Sequence, residues 1–255
     1  MRRAVAIVAT AIALCTSAFA QTPEQQQAIE RAERIGRDID EHDRAAWLGT
    51  DAIRADMGDA IGARMRGWIT ERDGDQIIVT FVTEDGGELR SLYRATLRNG
   101  ALTARGESSA PLSEAQLRLY RARQAATRSG FAGCSRTYNT VTLPNADGQT
   151  ADVYPLPGTT DRRVVLVGGA YRVRVDLQNA TVLETQAFSR SCLTLQRDPA
   201  VNEQLLYFTH LTTPMPTETH VFLNLSLGLP LAVGTPDGLW SIENGRISAL
   251  QESAH

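Results

Sequence analysis

The chain has 255 residues, 26 basic side chains against 29 acidic ones, and a formal charge of −3. Every basic side chain is arginine, so Schiff-base chemistry on lysine and a phosphate-binding loop with its lysine are excluded. The acidic balance argues against nucleic acid or anionic lipid as the main partner.

The first residues, MRRAVAIVATAIALCTSAFA, carry Arg2 and Arg3, an apolar run from Ala4 to Leu14, and the small-x-small triplet Ala18-Phe19-Ala20. This pattern predicts a cleaved signal peptide over residues 1–20 and places the protein in the periplasm or outside the cell. No later stretch reads as a membrane span. The most apolar one, Val221 to Val233, is short and interrupted by Asn224, Ser226 and Pro230. Cys15 leaves with the leader, which leaves Cys134 and Cys192. An even pair in an oxidising compartment predicts a disulfide between them. The chain-entropy model values such a cross-link at about 4 kcal/mol.

Pro23 to about Leu48 predicts an amphipathic helix, with Ile29, Ala32, Ile35 and Ile39 at spacings of three and four. Gly49 reads as its stop, and Thr50-Asp51 as the cap of a second short helix reaching Ala60. Four strands follow: Gly67–Arg72, Gln76–Thr83, Glu88–Leu97 and Ala101–Arg105. Asp73-Gly74, Asp85-Gly86 and Asn99-Gly100 join them with residues that accept positive φ, which predicts an antiparallel meander. Ser113 and Gln116 then form a capping box, with Leu112 stapled to Leu117, for a helix ending near Thr127. Ser129-Gly130 closes it and marks the proposed boundary between residues 21–130 and a β-rich region, residues 131–255, which are able to pack as one unit.

In that region Asn139–Leu143, Ala151–Leu156, Val164–Val167, Cys192–Gln196 and Leu205–Thr209 read as strands. Tyr171–Asp176 pairs with Thr181–Phe188 as a hairpin. Gly168-Gly169 follows VVLV but lacks the spaced glycine and helix of a phosphate loop, so a hairpin turn is the reading. Thr217 caps a short helix ending at Gly228, with a strand as its rival. Leu231–Gly234, Leu239–Glu243 and Arg246–Leu250 complete the chain. Phe81, Trp68, Tyr93, Tyr171 and Trp240 are spaced as core aromatics. Arg118, Arg121 and Arg128 share a solvated helix face, and Arg172 and Arg174 share one side of a strand. The fold class is α+β: N-terminal helices, a meander with a capped helix, then a mainly antiparallel half holding the disulfide.

Chemistry has one candidate segment, THLTTPMPTETHVF, Thr209 to Phe222. His210, Glu218 and His220 could supply three zinc ligands or an acid–base set if the loop folds back. The spacing matches no helical or strand metal motif, so local hydrogen bonding is the simpler reading. A cysteine nucleophile paired with either histidine requires Cys134 and Cys192 to be unbonded. A serine nucleophile elbow is lacking. No cofactor is implied. Three stretches resemble an uncharacterised family of exported proteobacterial proteins: HDRAAWLGTDAI (His42 to Ile53), CSRTYNTVTLP…DVYPLP…SRSCLTL (Cys134 to Leu195), and PTETHVF with PLAVGTPDGLW. The resemblance implies an exported globular protein with the cysteines as a unit, and transfers no activity.

The leading expectation is a non-catalytic module that binds an envelope protein or a small molecule. The alternative is a periplasmic hydrolase or metal-dependent enzyme using His210, Glu218 and His220. A third is an accessory protein docking through the N-terminal helix, which an exposed stripe at Ile29, Ile35 and Ile39 would favour.

Overall fold

The computed structural model describes residues 21–161, 163–197 and 205–250. The expected leader lies outside them. Among the described residues no helix is long and apolar enough to cross a membrane.

The first helix, α1 (Pro23–Met57), begins where the chemistry favours it. Thr22 and Gln25 cap each other reciprocally, and Pro23 occupies the first turn. It runs for 35 residues, about 50 Å at the α-helical rise. The stop expected at Gly49 is not there, and the two expected helices are one. Gly49 is buried inside the helix because a Cβ there would sit 2.6 Å from Val79 Cγ1 and 3.1 Å from Phe81 Cε2. The glycine permits close packing, and the helix ends instead at Gly58, φ 74°. A 3-10 turn, Asp59–Ala63, follows.

The expected meander is present as β1 (Gly67–Asp73), β2 (Gln76–Asp85), β3 (Glu88–Arg98) and β4 (Ala101–Glu107), antiparallel in chain order. Asn99 and Gly100 take positive φ at the last turn, as a tight hairpin requires. The capped helix α2 (Glu114–Arg128) has its Ser113–Gln116 box in place. Arg118, Arg121 and Arg128 are exposed along it.

The second half holds a sheet ordered β5 (Thr137–Pro144), β6 (Thr150–Gly158), β8 (Tyr171–Asp176), β9 (Val182–Ala187). A small pair joins β7 (Val164–Leu166) to β10 (Thr194–Gln196). The third sheet is β11 (Leu206–Thr209), β12 (Leu231–Thr235), β13 (Gly238–Glu243) and β14 (Arg246–Ala249). β11 and β12 are parallel, and parallel neighbours need a crossover. α3 (Glu218–Leu227) provides it, capped at Gly228 in the left-handed conformation. The helix, not its strand rival, is therefore what the sequence after Thr217 forms.

Gly168-Gly169 is not a hairpin turn, since β7 pairs with β10 and β8 with β6 and β9. The chain passes the disulfide there. A Cβ on Gly169 would lie 2.5 Å from Cys134 Cβ and 2.7 Å from its Sγ. Phe81, Tyr93 and Trp240 are core aromatics, whereas Trp68 and Tyr171 are half-buried. Trp68 carries the Arg123 guanidinium 4.2 Å above its ring, and Tyr171 packs on Phe131.

α1 is the spine. Its N-terminal Ile29 and Ala32 pack with Val221, Leu231, Val233, Trp240 and Ile242 of α3 and the third sheet. Ile39 meets Val141, Tyr154 and Leu156 of the second sheet and Phe188 just beyond β9. Ala45, Ala52 and Ile53 close on the meander. Ile29 and Ile39 are thus buried by the chain itself and Ile35 is half-buried against the Ile39 cluster, so the expected exposed stripe at these three residues is not formed. Residues on both sides of Gly130 also share a cluster, with α2 between Ile69 and Val82 of the meander and Val153, Val173 and Val175 of the second sheet.

Candidate functional site

The expected histidine segment folds back far enough for its two imidazoles to touch. β11 delivers His210 and the first turn of α3 delivers His220, with ring centroids 4.4 Å apart and planes nearly perpendicular. Both are buried. His220 Nδ1 accepts the Thr217 backbone N–H at 2.9 Å, so its proton sits on Nε2 and the ring replaces the carboxylate of a capping box. Burial, with His210 beside it, pushes its pKa down to about 3. His210 Nε2 meets the hydroxyls of Thr213 at 2.6 Å and Thr212 at 3.1 Å, and burial lowers its pKa too.

Glu218 is buried but belongs to a different contact, accepting the Tyr154 hydroxyl at 3.2 Å. Among the described residues no three His, Cys, Asp or Glu side chains are grouped as a metal site. The two histidines converge, then, while the carboxylate is engaged elsewhere. Their ring nitrogens anchor the loop between β11 and α3.

Cys134 and Cys192 are bonded, with Cα atoms 5.3 Å apart. Tyr138 ties the bridge to the sheet, its hydroxyl accepting from Cys134 N–H at 2.8 Å and donating to the Gly169 carbonyl at 3.2 Å. No thiol is available here for a cysteine nucleophile.

A different histidine occupies a cleft. His42 lies midway along α1, three residues after Ile39 and three before Ala45, on the helix face that packs inward. It is 3 % exposed, and its Nδ1 sits 2.7 Å from Thr70 Oγ1 of β1. The cleft has a volume of about 710 Å³ and opens between α1, β1, the start of α2 and the β5–β6 turn. Its apolar wall is Leu119, Leu143, Pro144 and Leu177. Four of its five charged side chains are matched in ion pairs, and the fifth, Glu71, has a neutral partner. Arg72 bonds Asp38 at 2.9 Å and also Glu41. Arg118 bonds Glu114 at 3.2 Å, and Glu71 accepts from Gln116 at 2.7 Å.

The imidazole has hydrogen-bonding capacity left. Nδ1 is engaged, whereas Nε2 has no hydrogen-bond partner among the described residues and is not among the sealed-off buried polar atoms. Burial, with the Arg72 guanidinium near, pushes the His42 pKa down to about 4, so the ring is neutral at pH 7. The next residue, Asp43, accepts from Asn139 at 3.1 Å, and burial raises its carboxyl to about 6.

The His42–Thr70 pair has the spacing of a base and a nucleophile. However, Thr70 is 3 % exposed in mid-strand, and no acid orients the ring through Nε2. The arrangement can bind. Sequence reasoning missed it because His42 reads only as a break in a stripe of Ile and Ala. The signal was there: a lone imidazole in phase with a helix's buried face.

Comparison with known protein families, with curated proteins and with solved structures gave no match.

Proposed function

We propose that the protein is an exported, non-catalytic binding module, and that the cleft floored by His42 is where it holds a small molecule. The observation that carries this reading is the open Nε2 of a neutral imidazole inside a concavity of about 710 Å³ with an apolar wall. Ligand sites typically combine an apolar lining with a few placed polar groups, in clefts of about 300–1,000 Å³. Helix α1, strand β1, the start of α2 and the β5–β6 turn meet at the cleft. Export is supported by the leader and by the Cys134–Cys192 bridge, which suits an oxidising compartment. The resemblance to exported proteobacterial proteins agrees with that placement.

The rival reading, a hydrolase or metal-dependent enzyme on His210, Glu218 and His220, has the imidazole contact in its favour and the Glu218–Tyr154 bond against it. The test is a saturation-transfer screen of pooled neutral fragments against the wild type and Leu143→Trp, whose indole would fill the half-buried wall. Fragments that bind the wild type and lose contact with the variant support the cleft. Fragments held equally by both would place the binding elsewhere and end this reading.

A further inference from the structure

We infer that the ligand of the His42 cleft is an uncharged molecule with an apolar body and one hydroxyl, a phenol or an alcohol, whose oxygen bonds to His42 Nε2. This rests on the cleft being the binding site.

Arg72 and Arg118 are already paired with carboxylates, so neither is free for an anion, and Glu71 is bonded by the neutral Gln116 amide. An anion would have to approach Asp38, Glu71 and Glu114, which outnumber Arg72 and Arg118 in the lining. A cation at Nε2 meets the Arg72 guanidinium, whose charge already acts on the imidazole. Burying either ion costs more than one hydrogen bond returns. A neutral head group avoids both penalties.

The hydroxyl follows from the ring. Thr70 Oγ1 can donate to or accept from Nδ1, so Nε2 is an acceptor in one tautomer and a donor in the other. A hydroxyl both donates and accepts, and therefore satisfies either tautomer. The side chains of Leu119, Leu143, Pro144 and Leu177 then supply apolar contact for the body of the molecule.

The test uses four compounds with one body: 4-ethylphenol, ethylbenzene, 4-ethylbenzoate and 4-ethylbenzylamine. Each is titrated into the disulfide-bonded protein at pH 7, with leucine methyl shifts giving affinity and place. A long-range ¹⁵N spectrum of the wild type reads His42 Nε2 directly. The expected result is that 4-ethylphenol binds about fivefold more tightly than ethylbenzene, the worth of one neutral hydrogen bond. It also binds more tightly than either ion, and it alone shifts the Nε2 resonance. In His42→Phe the phenol should lose that fivefold advantage. If ethylbenzoate or ethylbenzylamine binds best at the Leu143 and Leu177 methyls, or if Nε2 does not move, the ligand class is wrong and the cleft stands. If no compound moves those methyls, the cleft reading itself falls.

Discussion

Gly36 of α1 lies against α3, and changing it to alanine tests whether α1 is the spine of the fold. A Cβ there would lie 2.5 Å from Val221 Cβ, 2.6 Å from Val221 Cγ1 and 2.7 Å from the Glu218 carbonyl oxygen. One of those atoms is backbone, and the valine is fully buried, so neither can swing aside. Overpacking of this kind costs about 1–3 kcal/mol, and the rigid neighbours put it near the upper end. Alanine returns about 1 kcal/mol of helix propensity. The net is a loss of about 2 kcal/mol. With a urea slope of about 2–3 kcal/mol/M, the unfolding midpoint should fall by roughly 1 M. Gly62→Ala is the control, because nothing lies within 4 Å of its Cβ position, and its midpoint should move little. Circular dichroism of the disulfide-bonded protein against urea reads both. A Gly36→Ala protein as stable as the wild type would refute the packing of α1 on α3.

Three further outcomes follow from the same contacts. Replacing Cys134 and Cys192 together by serine should cost about 2–5 kcal/mol, read by the same urea titration, because the cross-link spans a sequence separation of 58. Glu33 is buried with Oε1 accepting the Ile247 N–H at 2.8 Å, so Glu33→Ala orphans a buried donor and should cost about 1–3 kcal/mol. Stability should also fall on acidification below about pH 6.5. The buried His42 and His220 have folded pKa values near 4 and 3, so the unfolded chain binds more protons between those values and 6.5. Asp43, raised to about 6, acts in the opposite sense between its unfolded value and 6. Urea midpoints from pH 8 to pH 4 measure the balance. The decline should be shallower in His220→Gln, and a slope unchanged by that substitution would contradict the burial argument.

Much of the fold is legible wherever the signal is local. Asn99-Gly100, the Ser113–Gln116 box and Gly228 each act on their neighbours alone, and the strands and helices they bound are where the residues imply. Gly49 and Gly168-Gly169 misled for the same reason. Glycine marks a turn when its backbone conformation matters, but at Gly49 what matters is the missing Cβ opposite Val79, a residue distant in the chain. Gly169 also faces a distant residue, Cys134, and its φ of 97° serves the passage past the disulfide and not a hairpin. The cysteine pairing was readable from compartment and count. The proximity of His210 and His220 depended on the crossover through α3, so spacing alone left it open. His42 was hidden most thoroughly, because its cleft is made by β1, α2 and the β5–β6 turn, none of which lies near it in sequence.

Whether the His42 cleft is a ligand seat can be read from a crystallographic soak with a mixed set of small neutral fragments. The expected density lies against Leu119, Leu143 and Leu177, with a polar atom within hydrogen-bond distance of His42 Nε2. Density confined to other sites, such as the smaller apolar cavity of about 160 Å³ beside Val165 and Phe222, with the His42 cleft holding only solvent, would contradict it.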